Sequence, residues 1–355
     1  MLYIITMNNT LKLLESLDIV ITIFNQEEII ERVLYGVFRN TTTPFNLIII
    51  FDGCSDRTKP RALKYIKKVK PHLLLELIIH DTPNLFELRA NNFAFRLAKT
   101  KYMITIQDDM VIREYGWERR LTYPLRKFDD VLAVTARIAE NIESINNGVQ
   151  KLVNQKGREL NTLSRNIFAI RDVINRGPIA FRIDYLKDLN YLNDKYAPCA
   201  IDDHELSLRA WRDRRWKVGA YWIDYFSHKA WSKTHASDST MKAFDMAYTN
   251  KVRLYNDFKG YIDSCIKHNE EIIIDEKTID YVQNNIFLRK LYWFLQFPLR
   301  IDKRALGMTW RIRKHEYIEA IKRPLFRLLG SHITALAQEQ GIKKAILFMI
   351  KGNKL

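Results

Sequence analysis

The chain has 355 residues, of which 47% are hydrophobic and 28% are charged. This composition is ordinary for a folded globular protein, and it excludes disordered, collagen-like and multi-span membrane proteins. The 57 Lys and Arg residues outnumber the 41 Asp and Glu residues, so the formal net charge is +16. A charge of this sign and size favours anionic partners such as phosphorylated substrates, lipid surfaces or nucleic acids.

The first 110 residues alternate between short apolar runs and segments whose apolar residues recur at helical spacing. The runs are rich in β-branched residues and predict buried strands, and the segments between them predict amphipathic helices. Strands that alternate with helices imply a parallel sheet with right-handed crossovers, in which ligands bind beyond the carboxyl ends of the strands. The predicted strands are 18–24, 45–51, 73–79 and 102–106, and the predicted helices are 27–39, 58–70 and about 86–98.

The regular pattern stops between residues 140 and 175, a polar stretch rich in Asn, Gln and Arg. A connection of this length favours a functional flap or a mobile segment. From residue 237 onward apolar residues recur at spacings of three and four, which predicts helices. We therefore predict one α/β domain over residues 1–236 and a helical, basic extension over residues 237–355. The other predicted elements are strands at 131–136 and 216–223 and helices near 185 and over 204–214.

The spacing of the cysteines and the pattern of the first twenty residues indicate the cellular compartment of the protein. Cys54, Cys199 and Cys265 are far apart and form no CxxC pair, so neither a disulfide framework nor a cysteine zinc site is expected. The first twenty residues lack the pattern of a signal peptide. No segment reaches the roughly 18 uninterrupted apolar residues of a membrane span. A reducing, cytoplasmic location is the expectation.

Polar clusters follow the predicted strands or begin the predicted helices, which is where a sheet enzyme places its site. Each cluster has a structural alternative, because Asp, Asn and Ser also cap helices and form turns. Asp202 and Glu205 have the spacing of a capping box. The four clusters are Thr22, Asn25 and Glu27; Asp52 and Asp56; Asp108 and Asp109; and Asp202, Asp203 and Glu205.

The apolar strand at 102–106 runs straight into Gln107, Asp108 and Asp109. Two adjacent carboxylates repel each other, and burial at the end of a strand adds a desolvation cost. A divalent cation that binds one or two carboxylates together with substrate phosphates relieves both effects. The pair therefore predicts a metal site.

Five segments, in this order, resemble the glycosyltransferases of family 2, which have the GT-A fold. The resemblance covers about residues 18–232. It implies an α/β fold with a Rossmann-like, mostly parallel sheet and helices on both faces, followed here by the helical extension. It also implies an enzyme that transfers a sugar, with inversion, from a nucleotide-diphosphate sugar to an acceptor hydroxyl. The segments are VITIFNQEE, IIIFDGCSD, LRANNFAFRLAKTKYMITIQDDM, RGPIAFR and DDHELSLRAW.

The same resemblance implies roles for individual residues. Asp203 would be the general base, and Asp109, with Asp108 and His228, would bind Mn²⁺ or Mg²⁺. His204 is instead expected to be an exposed residue in the first turn of its helix. The implied nucleotide-sugar site consists of Thr22, Asn25, Glu27, Asp52, Arg89, Asn92, Asp108 and Asp202.

Three positions depart from the usual family pattern. Phe51 replaces the first acid of an Asp-Asp pair, which leaves base recognition to Asp52. Gln107 replaces the first acid of the DxD metal motif, and Asp202 stands where Glu is common. The first two replacements leave open a non-catalytic protein that binds sugar nucleotides. A GT-A-like nucleotidyltransferase is a second alternative, although such enzymes have a glycine-rich loop after strand one and ITIFNQEE has no glycine.

The partners follow from the same reading. A UDP-sugar is the expected donor, and the acceptor would be a saccharide, a lipid-linked sugar or a protein in surface polysaccharide or glycolipid synthesis. The last 75 residues contain 15 Lys and Arg against 4 Asp and Glu, interleaved with aromatic residues. This tail predicts either peripheral binding to an anionic membrane on its inner face or helices with a solvated basic face. Nucleic acid is not an expected partner, because no reader motif accompanies the charge.

Overall fold

A computed structural model describes residues 16–143, 151–153, 165–227, 239–264 and 268–279. Helices and strands alternate through the first half, as the apolar pattern predicts. The strands are β1 Leu17–Ile23, β2 Phe45–Asp52, β3 Leu74–Thr82, β4 Tyr102–Gln107, β5 Met110–Ile112, β6 Val131–Thr135, β7 Ile138–Glu143, β8 Lys151–Val153, β9 Ile167–Arg171, β10 Val173–Asn175, β11 Ile179–Arg182, β12 Lys217–Tyr221, β13 Tyr225–Ser227 and β14 Glu270–Ile273.

The helices lie between these strands. Those at 30–40, 58–69, 86–96 and 202–214 begin and end within a few residues of the predicted bounds, whereas the helix at 117–127 is not among the predicted elements. A short 3₁₀ helix, Asp194–Tyr196, precedes the sixth of them. The α-helices are α1 Ile30–Asn40, α2 Thr58–Val69, α3 Phe86–Arg96, α4 Trp117–Lys127, α5 Ile183–Asp188, α6 Asp202–Arg214 and α7 Ser239–Asp263.

A single large sheet organises the described residues. Its nine strands lie in the order β14-β9-β12-β6-β11-β4-β1-β2-β3. Within the described part of the chain, β9 and β11 run opposite to the other seven strands of this sheet. Two small sheets, β10-β7-β8 and β13-β5, complete the fold. This architecture confirms the predicted α/β class with a mostly parallel sheet.

The core forms around β1 and β2, because nearly every side chain of these two strands is buried. Continuous runs of Ile, Leu and Val are typical of parallel strands that are covered on both faces. Complete burial of one such side chain contributes about 1.5–3 kcal/mol relative to exposure. The edge strand β3, by contrast, has only partly buried and exposed residues.

The stretch from residue 140 to 175 differs from the prediction of an irregular flap. Its described residues contain β8, β9 and β10 and part of β7. Polar residues in these short strands are buried through tertiary hydrogen bonds. Asn141, for example, is fully buried and accepts the backbone N–H of Asp172, whose carboxylate accepts the backbone N–H of Ile142. Because buried polar residues interrupt the apolar pattern, a search for apolar alternation does not detect these strands.

The segment that follows residue 236 contains a strand as well as a helix. Strand β14 pairs antiparallel with β9 and so forms one edge of the large sheet. The expectation that residues 237–355 are wholly helical is therefore wrong at residues 270–273, while the domain boundary itself stays a prediction. The basic tail beyond residue 279 lies outside the described residues. None of the described helices has the length and apolar composition needed to cross a bilayer.

Helix α7 holds the loop that leads into α6. The side-chain amide of Asn250, which is buried, lies 3.0, 3.1 and 3.0 Å from the carbonyl oxygens of Tyr196, Cys199 and Ala200. Ala200 and Ile201 have left-handed backbone angles, with φ of 72° and 69°. Such angles are unfavourable for residues with a Cβ, so the contacts of Asn250 stabilise an otherwise strained entry to α6.

Candidate active site

The carboxyl ends of β1, β2 and β4 lie side by side at one edge of the sheet. Thr22 of β1 is in register with Gln107 of β4, and Ile23 is in register with Phe51 of β2. The hydroxyl of Thr22 donates a hydrogen bond to Oδ1 of Asn91, which brings helix α3 to the same edge (3.1 Å). The polar residues that follow these strands therefore meet where ligands bind in sheets of this kind.

Asp52 ends β2 and is 4% exposed. Its Oδ1 accepts hydrogen bonds from the hydroxyl of Thr82 (2.8 Å) and from the backbone N–H of Leu85 (2.6 Å). These bonds fix the end of β2 to the segment that precedes α3. The role of Asp52 in recognition of the nucleotide base stays a prediction.

Gly53 makes the turn after Asp52 possible. Its φ is +67°, and an added Cβ would lie 2.7–2.9 Å from Asn84 atoms that include the backbone N and Cα. We expect Gly53→Ala to lower the free energy of unfolding by about 1–3 kcal/mol, because left-handed strain and overpacking both act there. Chemical denaturation measures the change.

The matched control for that substitution is Gly260→Ala. Gly260 lies in helix α7, and no atom of the described residues lies within 4 Å of the place that an added Cβ would take. Alanine is favoured over glycine inside a helix by roughly 0.5–1 kcal/mol, so this variant should be slightly more stable than the parent. Equal effects at the two glycines would contradict the proposed strain at Gly53.

The loops after β1 and β2 are joined by side-chain hydrogen bonds. Oδ1 of Asn25 accepts the backbone N–H groups of Ser55 (2.8 Å) and Asp56 (3.2 Å). The carboxylate of Glu27 accepts both the backbone N–H and the Nε–H of Arg57, each at 3.1 Å. Hydrogen bonds to Arg57 lower the pKa of Glu27. In this arrangement Asn25 and Glu27 hold the two loops together, and their predicted contact with a nucleotide sugar stays a prediction.

Asp108 and Asp109 follow β4 at the same edge. Oδ2 of Asp108 accepts the backbone N–H of Phe24 (2.9 Å), and Oδ2 of Asp109 accepts the hydroxyl hydrogen of Ser227 (3.1 Å). Burial raises the pKa of Asp108 to about 8, and the charge of Asp109 adds to the increase. Burial also raises the pKa of Asp109. The sequence prediction of two mutually unfavourable carboxylates thus agrees with their surroundings.

This carboxylate pair fits a hard divalent cation. Carboxylate oxygens are the ligands that Mg²⁺ and Mn²⁺ prefer, and a bound cation would offset the cost of two desolvated negative charges. Among the described residues, however, no cluster of three or more His, Cys, Asp or Glu side chains forms a complete metal site. His228, the third predicted ligand, lies outside the described residues. Asp108 and Asp109 are the residues that would hold the ion, with the remaining ligands left to substrate and water.

Asp202 and Asp203 begin helix α6. Oδ2 of Asp203 accepts the backbone N–H of Arg176 (2.7 Å), and Oδ1 accepts the backbone N–H of His204 (2.9 Å). Asp202 is 1% exposed and forms an ion pair with the guanidinium of Arg176. No side-chain cap forms at this helix start, so the capping-box alternative for Asp202 and Glu205 is wrong.

A chain of polar contacts links the end of β4 to the start of α6. Gln107 donates from Nε2 to Oε1 of Glu87 (2.8 Å), and the same oxygen lies 2.6 Å from Nη1 of Arg176. Arg176 then contacts Asp202 through its side chain and Asp203 through its backbone. The charge of Glu87 also adds to the increase that burial causes in the pKa of Asp108 and of Asp109, so this network connects their surroundings to the start of α6. Sequence reasoning missed Glu87 and Arg176, since they are 89 positions apart.

A small cavity lies beside Asp203. Its volume is about 10 Å³, which is close to the minimum that holds one water molecule. Asn91, Thr105, Arg176 and Asp203 supply its polar lining, and the rest of the lining is apolar. The acid that we predict to be the base therefore lies next to a space of about the size of one water molecule.

Two predicted residues have other roles in the structure. Asn92 is 2% exposed, and its amide hydrogen-bonds Leu192 and Asp194, so it holds a loop instead of facing the cleft. Its neighbour Asn91 contacts Thr22 and the cavity. His204 is also 2% exposed, so the expectation of an exposed residue is wrong. Arg89 is exposed on α3.

Comparison with known proteins identifies the family of one region of this chain. Residues 18–187 match the sequence profile of glycosyl transferase family 2. This region belongs to that family. The match begins in β1 and ends in α5, so the matched region includes Asp108, Asp109, Glu87 and Arg176. The fold is the GT-A fold that the sequence predicts.

One curated relative of the glycosyltransferase is a teichoic acid poly(glycerol phosphate) polymerase from Staphylococcus epidermidis. The two chains are 28% identical over 125 residues, which are 35% of this chain and 16% of the polymerase. This chain therefore aligns with only a small part of that protein.

Solved structures of low similarity include three glycosyltransferase-related chains, each 13% identical to this one. Less than two thirds of each of those chains is covered. They are the mannosyltransferase PcManGT from Pyrobaculum calidifontis in complex with GDP-Man and Mn²⁺ (TM-score 0.42, 57% of this chain and 56% of that one), GalNAc-T7 with UDP, GalNAc and Mn²⁺ (0.47, 59% and 43%), and S. aureus TarS 1-349 in complex with UDP (0.39, 60% and 58%).

Proposed function

We propose that this glycosyltransferase is an inverting, metal-dependent enzyme that transfers a sugar from a nucleotide-diphosphate sugar, with a UDP-sugar as the expected donor and Mn²⁺ or Mg²⁺ as the ion. The observation that supports the proposal best is the chain of contacts from Gln107 through Glu87 and Arg176 to Asp203. In the proposed site, this network would connect a carboxylate suited to proton removal with a carboxylate pair suited to a cation.

The proposed chemistry assigns Asp203 the role of general base. Inversion requires the acceptor oxygen to attack the anomeric carbon directly, while a base on the acceptor side takes the hydroxyl proton. Two backbone N–H groups orient the Asp203 carboxylate, which still has lone pairs for the acceptor. Asp108 and Asp109 would hold the cation, which neutralises charge on the departing diphosphate when it is bound. Thr22, Asp52 and Asp108 would contact the nucleotide and its ribose.

For the acceptor we propose a component of a cell-surface polymer, in the form of a saccharide, a lipid-linked sugar or a protein. The similarity to a teichoic acid poly(glycerol phosphate) polymerase supports this choice, because that enzyme's name refers to the assembly of a polymer. The proposed location is cytoplasmic, with peripheral attachment to the inner face of a membrane through the basic tail.

The direct test supplies the purified protein with Mn²⁺ and a panel of nucleotide-diphosphate sugars and measures release of the nucleoside diphosphate. Release with at least one donor, increased by acceptor, is the expected result. A nucleotidyltransferase would instead release pyrophosphate from a nucleoside triphosphate. Binding of a donor with no turnover under any combination would favour the non-catalytic alternative that Phe51 and Gln107 leave open.

Membrane attachment is tested by sedimentation with lipid vesicles. We expect the full chain to sediment with anionic vesicles at low salt and to remain in the supernatant with neutral ones. Each Lys or Arg near an anionic surface contributes about 1 kcal/mol, and added salt weakens this attraction. Truncation after residue 280 should abolish sedimentation. A full chain that never sediments with anionic vesicles would show that the tail has a structural role.

A further inference from the structure

Arg176 contacts several parts of the proposed site at once. Its guanidinium is 12% exposed and lies between Glu87 of α3 and Asp202 of α6. The backbone N–H of the same residue donates to Oδ2 of Asp203. One residue thus contacts both helices and the proposed base.

The backbone of Arg176 is itself fixed by the end of β6 and the residues after it. The hydroxyl of Thr135 donates to the carbonyl of Asn175 (2.9 Å), and the N–H of Ala136 donates to the carbonyl of Pro178 (2.8 Å). The side chain of Arg137 donates to the carbonyl of Arg176 (2.8 Å). With the loop held in this way, the two ion pairs of Arg176 fix α3 and α6 relative to the central sheet.

The uncharged amide of Gln107 is compatible with the negative charge of Glu87. Oε1 of Glu87 accepts from both Gln107 and Arg176, and its side chain is 33% exposed. A carboxylate at position 107 would face that oxygen and repel it, whereas the amide donates a hydrogen bond. Gln107, the residue that precedes the proposed metal ligands, therefore takes part in the same network that ends at Asp203.

We propose that Glu87 and Arg176 are positioning residues that hold Asp203 in the orientation needed to accept the acceptor proton. The proposal rests on the function proposed above. Neither side chain takes part in proton transfer in this scheme. Their effect arises because a small displacement of a catalytic group lowers the rate of the chemical step far more than it alters binding.

The primary test is Glu87→Gln, which keeps the shape of the side chain and removes its charge. We expect kcat to fall about tenfold while the donor KM and the melting temperature stay close to those of the parent. Arg176→Lys keeps a positive charge but loses the planar guanidinium that spans two carboxylates, so kcat should fall similarly. The double variant should lose less activity than the product of the two single losses.

The matched control is Glu31→Gln. Glu31 pairs with Arg61 at 2.9 Å and is 44% exposed, so the substitution removes a similar ion pair on the surface. It should leave kcat and KM unchanged. Arg176→Gln is less informative, because it leaves the buried Asp202 carboxylate unpaired and threatens folding.

Each outcome separates this inference from the proposed function. An Asp203→Asn variant that retains parental activity would overturn the proposed function itself. If Asp203→Asn is inactive but Glu87→Gln and Arg176→Lys keep the parental kcat, only the positioning role is overturned. A rise in donor KM with unchanged kcat in Glu87→Gln would also overturn it, because Glu87 would then bind the donor directly.

Discussion

Replacement of Asp203 by Asn is expected to reduce kcat by about 10²–10⁴-fold, the usual contribution of a positioned general base. The amide cannot accept the acceptor proton, although it retains an oxygen that can accept a backbone N–H. Binding of the donor nucleotide should be retained, because Asp108 and Asp109 are unchanged. Nucleoside diphosphate release and donor binding by calorimetry measure the two effects separately.

The control is Asp213→Asn on the same helix. Asp213 is 34% exposed and pairs with its neighbour Arg212, so its loss removes a surface charge from α6 without altering the site. Activity close to that of the parent is expected for this variant. The general-base assignment fails if Asp203→Asn and Asp213→Asn have equal activity.

Replacement of Asp109 by Asn should remove the response of the protein to Mn²⁺. One of two predicted carboxylate ligands becomes a neutral amide, so we expect loss of most activity and a large loss of Mn²⁺ affinity. Stability without metal should be equal or higher, because burial already disfavours the charged form of Asp109, as its raised pKa indicates. Thermal unfolding with and without Mn²⁺ measures both effects.

Asp188→Asn is the control for that experiment. Asp188 lies on α5, is 48% exposed and pairs with Arg214. Its replacement should leave the Mn²⁺-dependent increase in melting temperature intact. If Asp109→Asn still gains stability from Mn²⁺ to the same extent as the parent, the ion binds elsewhere and the assignment of Asp109 is wrong.

The parallel part of the fold could be predicted because its signals are local. The strands around Ile21, Ile48 and Ile104 are buried on both faces, and the helices between them have apolar residues at regular spacing. The strands between residues 140 and 175 escaped prediction because residues such as Asn141 are buried through partners distant in sequence. Strand β14 has two glutamates in four residues, and it forms because β9 provides an open edge.

Only those residues of the candidate site that lie at the ends of predicted strands could be predicted from the sequence. Two apolar runs of the sequence end at Asp52 and at Gln107, Asp108 and Asp109. The parallel topology then brings these strand ends to the same edge of the sheet. Asn91 and Asn92 are adjacent on α3, and one step along a helix turns a side chain by about 100°. The sequence cannot tell which of the two faces the cleft, since the packing of α3 on the sheet decides this. Glu87 and Arg176 meet only through that same packing.

The contact of Asn250 with the carbonyl groups of residues 196, 199 and 200 connects the C-terminal segment to the start of α6, which carries the proposed base. A fragment cut at the end of the family match would lack both α6 and this amide. A partner that pulled on α7 would loosen the entry to α6 and so disturb Asp203 without touching the cleft. The minimal unit for enzymology should therefore include α7, through which an external signal would act on the proposed base.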